Sequence, residues 1–119
     1  MEATVPEMTQ SIIFERPDMA SIAASGMMCA DMHFHTHYSD SYTRTEDVIR
    51  LALRKGAGVA ITDHNQIGGV LDAVEMKSEA LIVPGMEVST SDGPHILTYF
   101  YSWRDLKSFW DNNIKDNIR

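Results

Sequence analysis

Apolar and polar positions recur along this chain with two periods, and each change of period marks an element. Met27 to Thr36 reads as a strand, an apolar run through Ala30 and then a residue-by-residue alternation from Asp31. In an extended segment Asp31, His33 and His35 share one face, while Met32, Phe34 and Thr36 share the other. Val59-Ala60-Ile61-Thr62 is a short β-rich apolar run and reads as a buried parallel strand. Leu81-Ile82-Val83 begins a third strand, which Met86 to Ser89 continues beyond Pro84-Gly85, where a bulge or bend is expected. His95 to Tyr101 makes a fourth.

Between these runs the period lengthens to that of a helix. One helix is expected to start near Thr43 or Thr45, because Thr43 and Glu46 have capping-box spacing and Glu46-Asp47 put negative charge in the first turn. Val48, Ile49, Leu51, Ala52 and Leu53 supply its apolar face, and Lys55-Gly56 is a stop signal. Ile67 to about Ser78 is a second helix, weakened at its start by Gly68-Gly69. Trp103, Leu106, Trp110, Ile114 and Ile118 mark a third behind a Ser102 cap, running toward Arg119 without a stop signal. Ahead of all this, residues 1–26 read as an arm: Ile12-Ile13-Phe14 as a short edge strand, then one helical turn ended by Gly26.

Alternating strands and helices after residue 26 predict an α/β fold with a mainly parallel sheet. In such folds functional polar residues gather at the C-terminal strand ends. His33 and His35 lie near the end of the first strand, and Asp63-His64 directly follow the second. His95 opens the fourth strand, so an antiparallel pairing across the short turn from Glu87 brings it to the same end.

Composition narrows the function. The 119 residues fit one domain at most, with 44% hydrophobic and 23% charged residues. No stretch is long or apolar enough to span a membrane, and Glu2 and Glu7 sit where a signal peptide would be basic. Cys29 is the only cysteine, so no internal disulfide forms and a cytoplasmic location is expected. A net charge of −7 argues against nonspecific nucleic-acid binding, which needs excess Lys and Arg.

Asp31-Met-His33-Phe-His35-Thr-His37-Tyr-Ser-Asp40 crowds three imidazoles and two carboxylates into ten residues. Imidazole with carboxylate suits Zn, Mn, Fe or Co better than Mg or Ca. The plainer reading is a polar strand end with solvated histidines. Adding Ile61-Thr-Asp-His64-Asn65, Pro84-Gly-Met-Glu87-Val-Ser89 and His95-Ile-Leu97 gives four motifs in order, and together they resemble the PHP (polymerase and histidinol phosphatase) domain family. The resemblance covers roughly residues 27–101 and implies a distorted (β/α)7 barrel binding up to three divalent metals, Zn, Mn or Fe, at its C-terminal mouth. It implies that His33 and His35 hold the first metal, that Glu87 bridges the first and second, that His95 binds the second, and that Asp40 with His64 binds the third. Asp31 and Asp63 would orient imidazoles, and His37, outside the pattern, would be a solvated loop residue.

The implied activity is hydrolysis of a phosphate mono- or diester, with a small phosphate ester or nucleotide as substrate and Glu87 and His64 as the catalytic groups. Clustered divalent ions lower the pKa of a bridging water toward about 7 and clamp the attacking and leaving oxygens. Ser39, Thr62 and Ser89 sit on no nucleophile elbow and are expected to be hydrogen-bonded hydroxyls. The chain lacks the later motifs of the family, since no histidine follows His95. It is therefore expected to be the N-terminal portion, residues 27–119, of a longer barrel cut after about four core strands. Such a fragment would self-associate through its exposed strand edges, leaving Trp103 and Trp110 short of partners. Two rivals remain: a metal-dependent deacylase of the amidohydrolase type, and a non-catalytic metal-binding or interaction module.

Overall fold

A computed structural model describes residues 12–118, in which four strands form one sheet in the order β1-β2-β3-β4. These are β1 (Ala30–Phe34), β2 (Gly58–Ile61), β3 (Ile82–Ser89) and β4 (His95–Tyr99). The helices are α1 (Met19–Ala24), α2 (Thr45–Lys55), α3 (Gly68–Glu75) and α4 (Trp103–Asn113), with a 3₁₀ turn at Lys115–Asn117. The first three strands are parallel and β4 is antiparallel to β3, as the position of His95 requires. The sheet is thus mixed, with α2, α3 and α4 packed in a row against it.

The core lies between sheet and helices. Val48, Ile49 and Ala52 of α2 meet Val59 and Ile61 of β2, and the cluster continues through Val70 and Ala73 to Met86 and Leu106. Leu51 and Leu53, expected on the same face of α2, are exposed. Their positions lie off the narrow stripe that Val48, Ile49 and Ala52 define. The expected capping box is absent too. Arg44 is the N-cap, without a side-chain bond, because Thr43 is used in the preceding loop: its carbonyl accepts from the His37 N–H and its N–H donates to Ser41 Oγ. The other end follows expectation. Gly56 is left-handed, and the N–H groups of Gly56 and Ala57 return to Leu53 and Ala52, closing the helix.

Several boundaries shift. Residues 12–17 hold no strand, so the edge strand expected at Ile12-Ile13-Phe14 is not formed; residues 1–11 of the expected arm lie outside the described residues. The one helical turn is α1, capped by Asp18. Helix α3 ends at Glu75, earlier than expected, and α4 ends at Asn113 and tightens into the 3₁₀ turn. Trp110 does find a partner, donating its indole N–H to the Asn65 carbonyl at 3.0 Å. Among the described residues no helix is long and apolar enough to cross a membrane.

Strand β3 runs unbroken through Pro84, contrary to the expected bulge. The proline pairs with Ile61 on one side, and its carbonyl accepts from Phe100 N–H on the other at 2.9 Å. The N–H that proline lacks would face Phe100, where β4 has already ended, so no ladder bond inside β4 is lost. Beyond Pro84 the strand hands its pairing to β4, with Ser89 opposite His95 and Glu87 opposite Leu97. Strand alternation puts Met86 into the core and Glu87 and Ser89 on the opposite face.

Gly69 marks the tightest helix–sheet approach near the site. A Cβ there would lie 2.8 Å from Asp63 Oδ2, 2.9 Å from Thr36 Oγ1 and 3.0 Å from Ile61 Cγ2. Gly69→Ala is expected to lose about 1–3 kcal/mol to overpacking, outweighing the gain of about 1 kcal/mol in helix propensity. Urea unfolding checks this: the midpoint falls if the contact is rigid, and an unchanged or raised midpoint contradicts it.

Candidate metal centre

Six side chains converge at the C-terminal ends of β1 and β2 and the face of β3. Their ligand atoms form three groups, each within 4.8 Å: His33, His35 and Glu87; His35, Asp40 and His64; His64, Glu87 and His95. These are the six residues singled out in the sequence as metal ligands. The grouping is more interlocked than the resemblance implied, since His35 joins the Asp40–His64 group and His64 joins Glu87 and His95.

Glu87 is the hub. Its Oε1 lies 2.6 Å from His33 Nε2 and 3.3 Å from His35 Nε2, and its Oε2 lies 3.1 Å from Nδ1 of both His64 and His95. The residue is only 5% exposed. Its position follows from the ladder: Glu87 N–H donates to the Asp63 carbonyl and its carbonyl accepts from Asn65 N–H, which carries the β2–β3 pairing past the end of β2. Burial pushes the Glu87 carboxyl up, but the His33 hydrogen bond and the His64, His35 and His33 charges outweigh it, leaving it below the usual range.

His33 and His35 reach the hub because β1 ends here. Their Nε2 atoms are 3.1 Å apart. The expected clean division of faces is only partly realised: the β1–β2 register shifts between Asp31 and Phe34, and Met32 is 40% exposed. His35 Nδ1 meets Asp40 Oδ1 at 2.5 Å, while Asp40 Oδ2 lies 3.1 Å from His64 Nε2. Burial lowers His35, yet the hydrogen bond and charge of Asp40, aided by Glu87, raise it overall. The same hydrogen bond holds the Asp40 carboxyl below its ordinary range. Among the described residues every ion-pair partner of Glu87 and Asp40 is an imidazole.

Two sequence expectations fail in an informative way. Asp63 touches no imidazole; its buried carboxylate accepts from Thr36 N–H and Thr36 Oγ1, both at 2.6 Å, and from Ser39 Oγ at 2.7 Å. It anchors the loop that presents Asp40 instead of aiming a ring. Asp31 caps the His33 N–H at 3.0 Å, again backbone and not imidazole. In both cases a carboxylate one or two residues from a histidine was read as a ring partner, whereas its short side chain satisfies nearby backbone and hydroxyl donors. His37 is exposed and outside the three groups, its ring 4.6 Å from that of Tyr38.

Sequence reading missed the part played by Asn65. In the left-handed conformation (φ 52°), it accepts from Ser89 N–H at 2.9 Å and donates to the Ser89 carbonyl at 3.0 Å. Its position directly after Asp63-His64 was the available signal, because asparagine is enriched at positive φ. Beside it opens a cleft of about 530 Å³ walled by Asn65, Val88, Ser89, Thr90, Ile114 and Asn117.

Residues 31–107 match the PHP domain, and the chain belongs to that family. It is 35% identical to an uncharacterized protein of Methanocaldococcus jannaschii, over 56% of this chain and 47% of that one. It is 41% identical to a 3',5'-nucleoside bisphosphate phosphatase of Chromobacterium violaceum, over 55% of this chain and 24% of that enzyme. Among solved structures it resembles a candidate metal-dependent phosphoesterase from Bifidobacterium adolescentis, with TM-score 0.55, 28% identity, and coverage of 71% of this chain and 32% of that one. An amidohydrolase from Chromobacterium violaceum, solved with sulfate and no metal, gives TM-score 0.53 and 27% identity, covering 70% of this chain and 32% of that one. The chain thus spans half or less of the length of these relatives.

Asp63 offers a direct check on the loop anchor. Removing its carboxylate by Asp63→Ala leaves the buried donors of Thr36 without partners, at about 1–3 kcal/mol each. Amide exchange at Thr36 is expected to accelerate and the unfolding midpoint to fall. Parent-like exchange at Thr36 contradicts the anchoring role.

Proposed function

We propose that the chain is the metal-binding part of a PHP-type phosphoesterase, and that the six convergent side chains hold divalent cations. The observation that carries this reading is a buried carboxylate ringed by four imidazoles with no lysine or arginine paired to it among the described residues. A buried carboxylate facing only imidazole nitrogens is a donor set that a divalent cation would complete. Mixed imidazole and carboxylate donors fit Zn, Mn or Fe. His33 and His35 would hold one ion, Glu87 and His95 a second, with Glu87 shared between them, and Asp40 with His64 a third. When bound, such ions supply Lewis-acid activation of water and charge stabilisation at phosphorus.

The protein's own groups do the rest. Glu87 fixes the spacing between the donor groups, because its two oxygens face different imidazoles. Asp40 ties His35 to His64 and keeps both rings at the site. As an alternative to ligation, half-buried His64 is the candidate to give a proton to a departing oxygen, a role open to it only while its Nε2 holds no ion. A small phosphate ester or nucleotide is the substrate class that the named bisphosphate phosphatase relative supports. A barrel of the (β/α)7 type in the whole protein, and a reducing cytoplasmic setting for the free Cys29, complete the proposal.

The amidohydrolase neighbour favours a second reading, a metal-dependent deacylase. Activity separates the two. With the intact, longer protein and Mn or Zn supplied, p-nitrophenyl phosphate or its bis ester is expected to be cleaved and p-nitroacetanilide left intact, with cleavage lost on exhaustive chelation. Cleavage of the anilide alone, or phosphate-ester cleavage that survives chelation, overturns the phosphoesterase assignment.

Two substitutions test the ligand assignment. His33→Ala with His35→Ala is expected to lower bound metal per chain by at least one ion, read by elemental analysis after dialysis. Glu87→Gln, which keeps shape and removes charge, is expected to reduce phosphate-ester turnover by two or more orders of magnitude. Parent-like metal content in the double variant, or parent-like turnover in Glu87→Gln, contradicts these roles.

A further inference from the structure

Ser89 stands between two candidate ligands without belonging to any donor group. Its Oγ lies 2.6 Å from His64 Nδ1 and 2.9 Å from His95 Nδ1. The opposite nitrogen of His64, Nε2, faces Asp40 Oδ2 at 3.1 Å. A ring that ligates through one nitrogen needs a partner for the proton on the other, and that partner decides which nitrogen is free. Glu87 Oε2 is a rival partner for His64 Nδ1, but it is 0.5 Å farther than Ser89 Oγ, at 3.1 Å against 2.6 Å. Glu87 is also shared among four rings and, in the reading above, committed to ions. The serine hydroxyl has two lone pairs for His64 and one proton, available to His95 Nδ1 whenever that nitrogen's lone pair is free.

Ser89 itself is held with unusual completeness for the last residue of a strand. The Asn65 carboxamide takes both of its backbone groups, while Asn65 N–H donates to the Glu87 carbonyl and the Asn65 carbonyl accepts from Trp110 Nε1. One residue therefore ties two points of β3, Glu87 and Ser89, to α4. The left-handed backbone this requires is tolerated by asparagine better than by most residues. A clamp that served only to end the strand would not need the serine hydroxyl to meet two imidazoles.

We propose that Ser89, clamped by Asn65, is a positioning residue of the metal centre: its hydroxyl accepts the Nδ1 proton of His64 and so presents Nε2 to the Asp40 group. The inference rests on the metal-binding reading above and adds to it the residue that selects the ligating nitrogen. Loss of such a partner typically costs about 10–100-fold in metal affinity.

The test is a cobalt(II) titration of the 119-residue chain and of Ser89→Ala, Ser89→Thr and Asn65→Gly, followed by visible absorption. It is paired with long-range ¹H–¹⁵N NMR of the histidine rings in the zinc-loaded forms. The parent is expected to show His64 protonated at Nδ1. Ser89→Ala is expected to weaken one class of cobalt site about 10–100-fold and to lose the single tautomer of His64, and Ser89→Thr to restore both. Asn65→Gly keeps the left-handed backbone and removes only the clamp, so it decides the matter if Ser89→Ala does not fold. Weakened cobalt binding in Asn65→Gly supports the proposal. Parent-like affinity in whichever of these two variants folds, or a parent His64 ligating through Nδ1, overturns it. A parent chain that takes up no cobalt overturns the metal reading itself, and this inference with it.

Discussion

Burying the carboxylate of Glu87 is the constraint on which the rest of the site depends. Its side chain is 7% exposed, and an ion withdrawn from water to that degree costs several kcal/mol unless other charges and hydrogen bonds compensate. The fold meets the requirement from three directions. Strand β1 ends with His33 and His35 against one oxygen, and the segment after β2 places His64 against the other. The antiparallel return of β4 adds His95. None of these contacts is local in sequence except the last, so the site exists only when β1, β2 and β3 are in register.

That dependence explains why ordinary packing features lie so close to the chemistry. The loop carrying Asp40 is pinned by Asp63 from beneath, and Gly69 of α3 approaches the same carboxylate so closely that a methyl group would collide with it. Tyr38 extends the anchoring outward, its hydroxyl donating to Asp72 of α3 at 2.5 Å. On the other flank Asn65 joins β3 to Trp110 of α4. Residues that look structural thereby set where Asp40 and Ser89 stand relative to His64.

The parallel strands, the antiparallel fourth strand and all six convergent side chains were legible in the sequence. Period and spacing signal the strands and candidate positions, with His-x-His on a strand, Asp-His after an apolar run, and Glu87 and His95 astride one short turn. Asp40 and the division into ligand sets came only from the resemblance to the PHP family. Less legible were features fixed by three-dimensional competition for donors. Thr43 has the spacing of a cap, but the loop before α2 takes it first. Pro84 looks like a strand breaker, but the neighbouring strand ends where its missing N–H would matter. Asp31 and Asp63 sit beside histidines in sequence yet bind backbone and hydroxyl groups, because those donors are nearer than either ring.

The central claim is that divalent ions sit against Glu87 among the imidazoles, and anomalous diffraction at the zinc edge from crystals of the zinc-loaded chain tests it most directly. The account predicts anomalous peaks within about 2.0–2.2 Å of Glu87 carboxylate oxygens and of ring nitrogens of His33 and His35. Zinc bound only at surface carboxylates, with no peak beside Glu87, would contradict it.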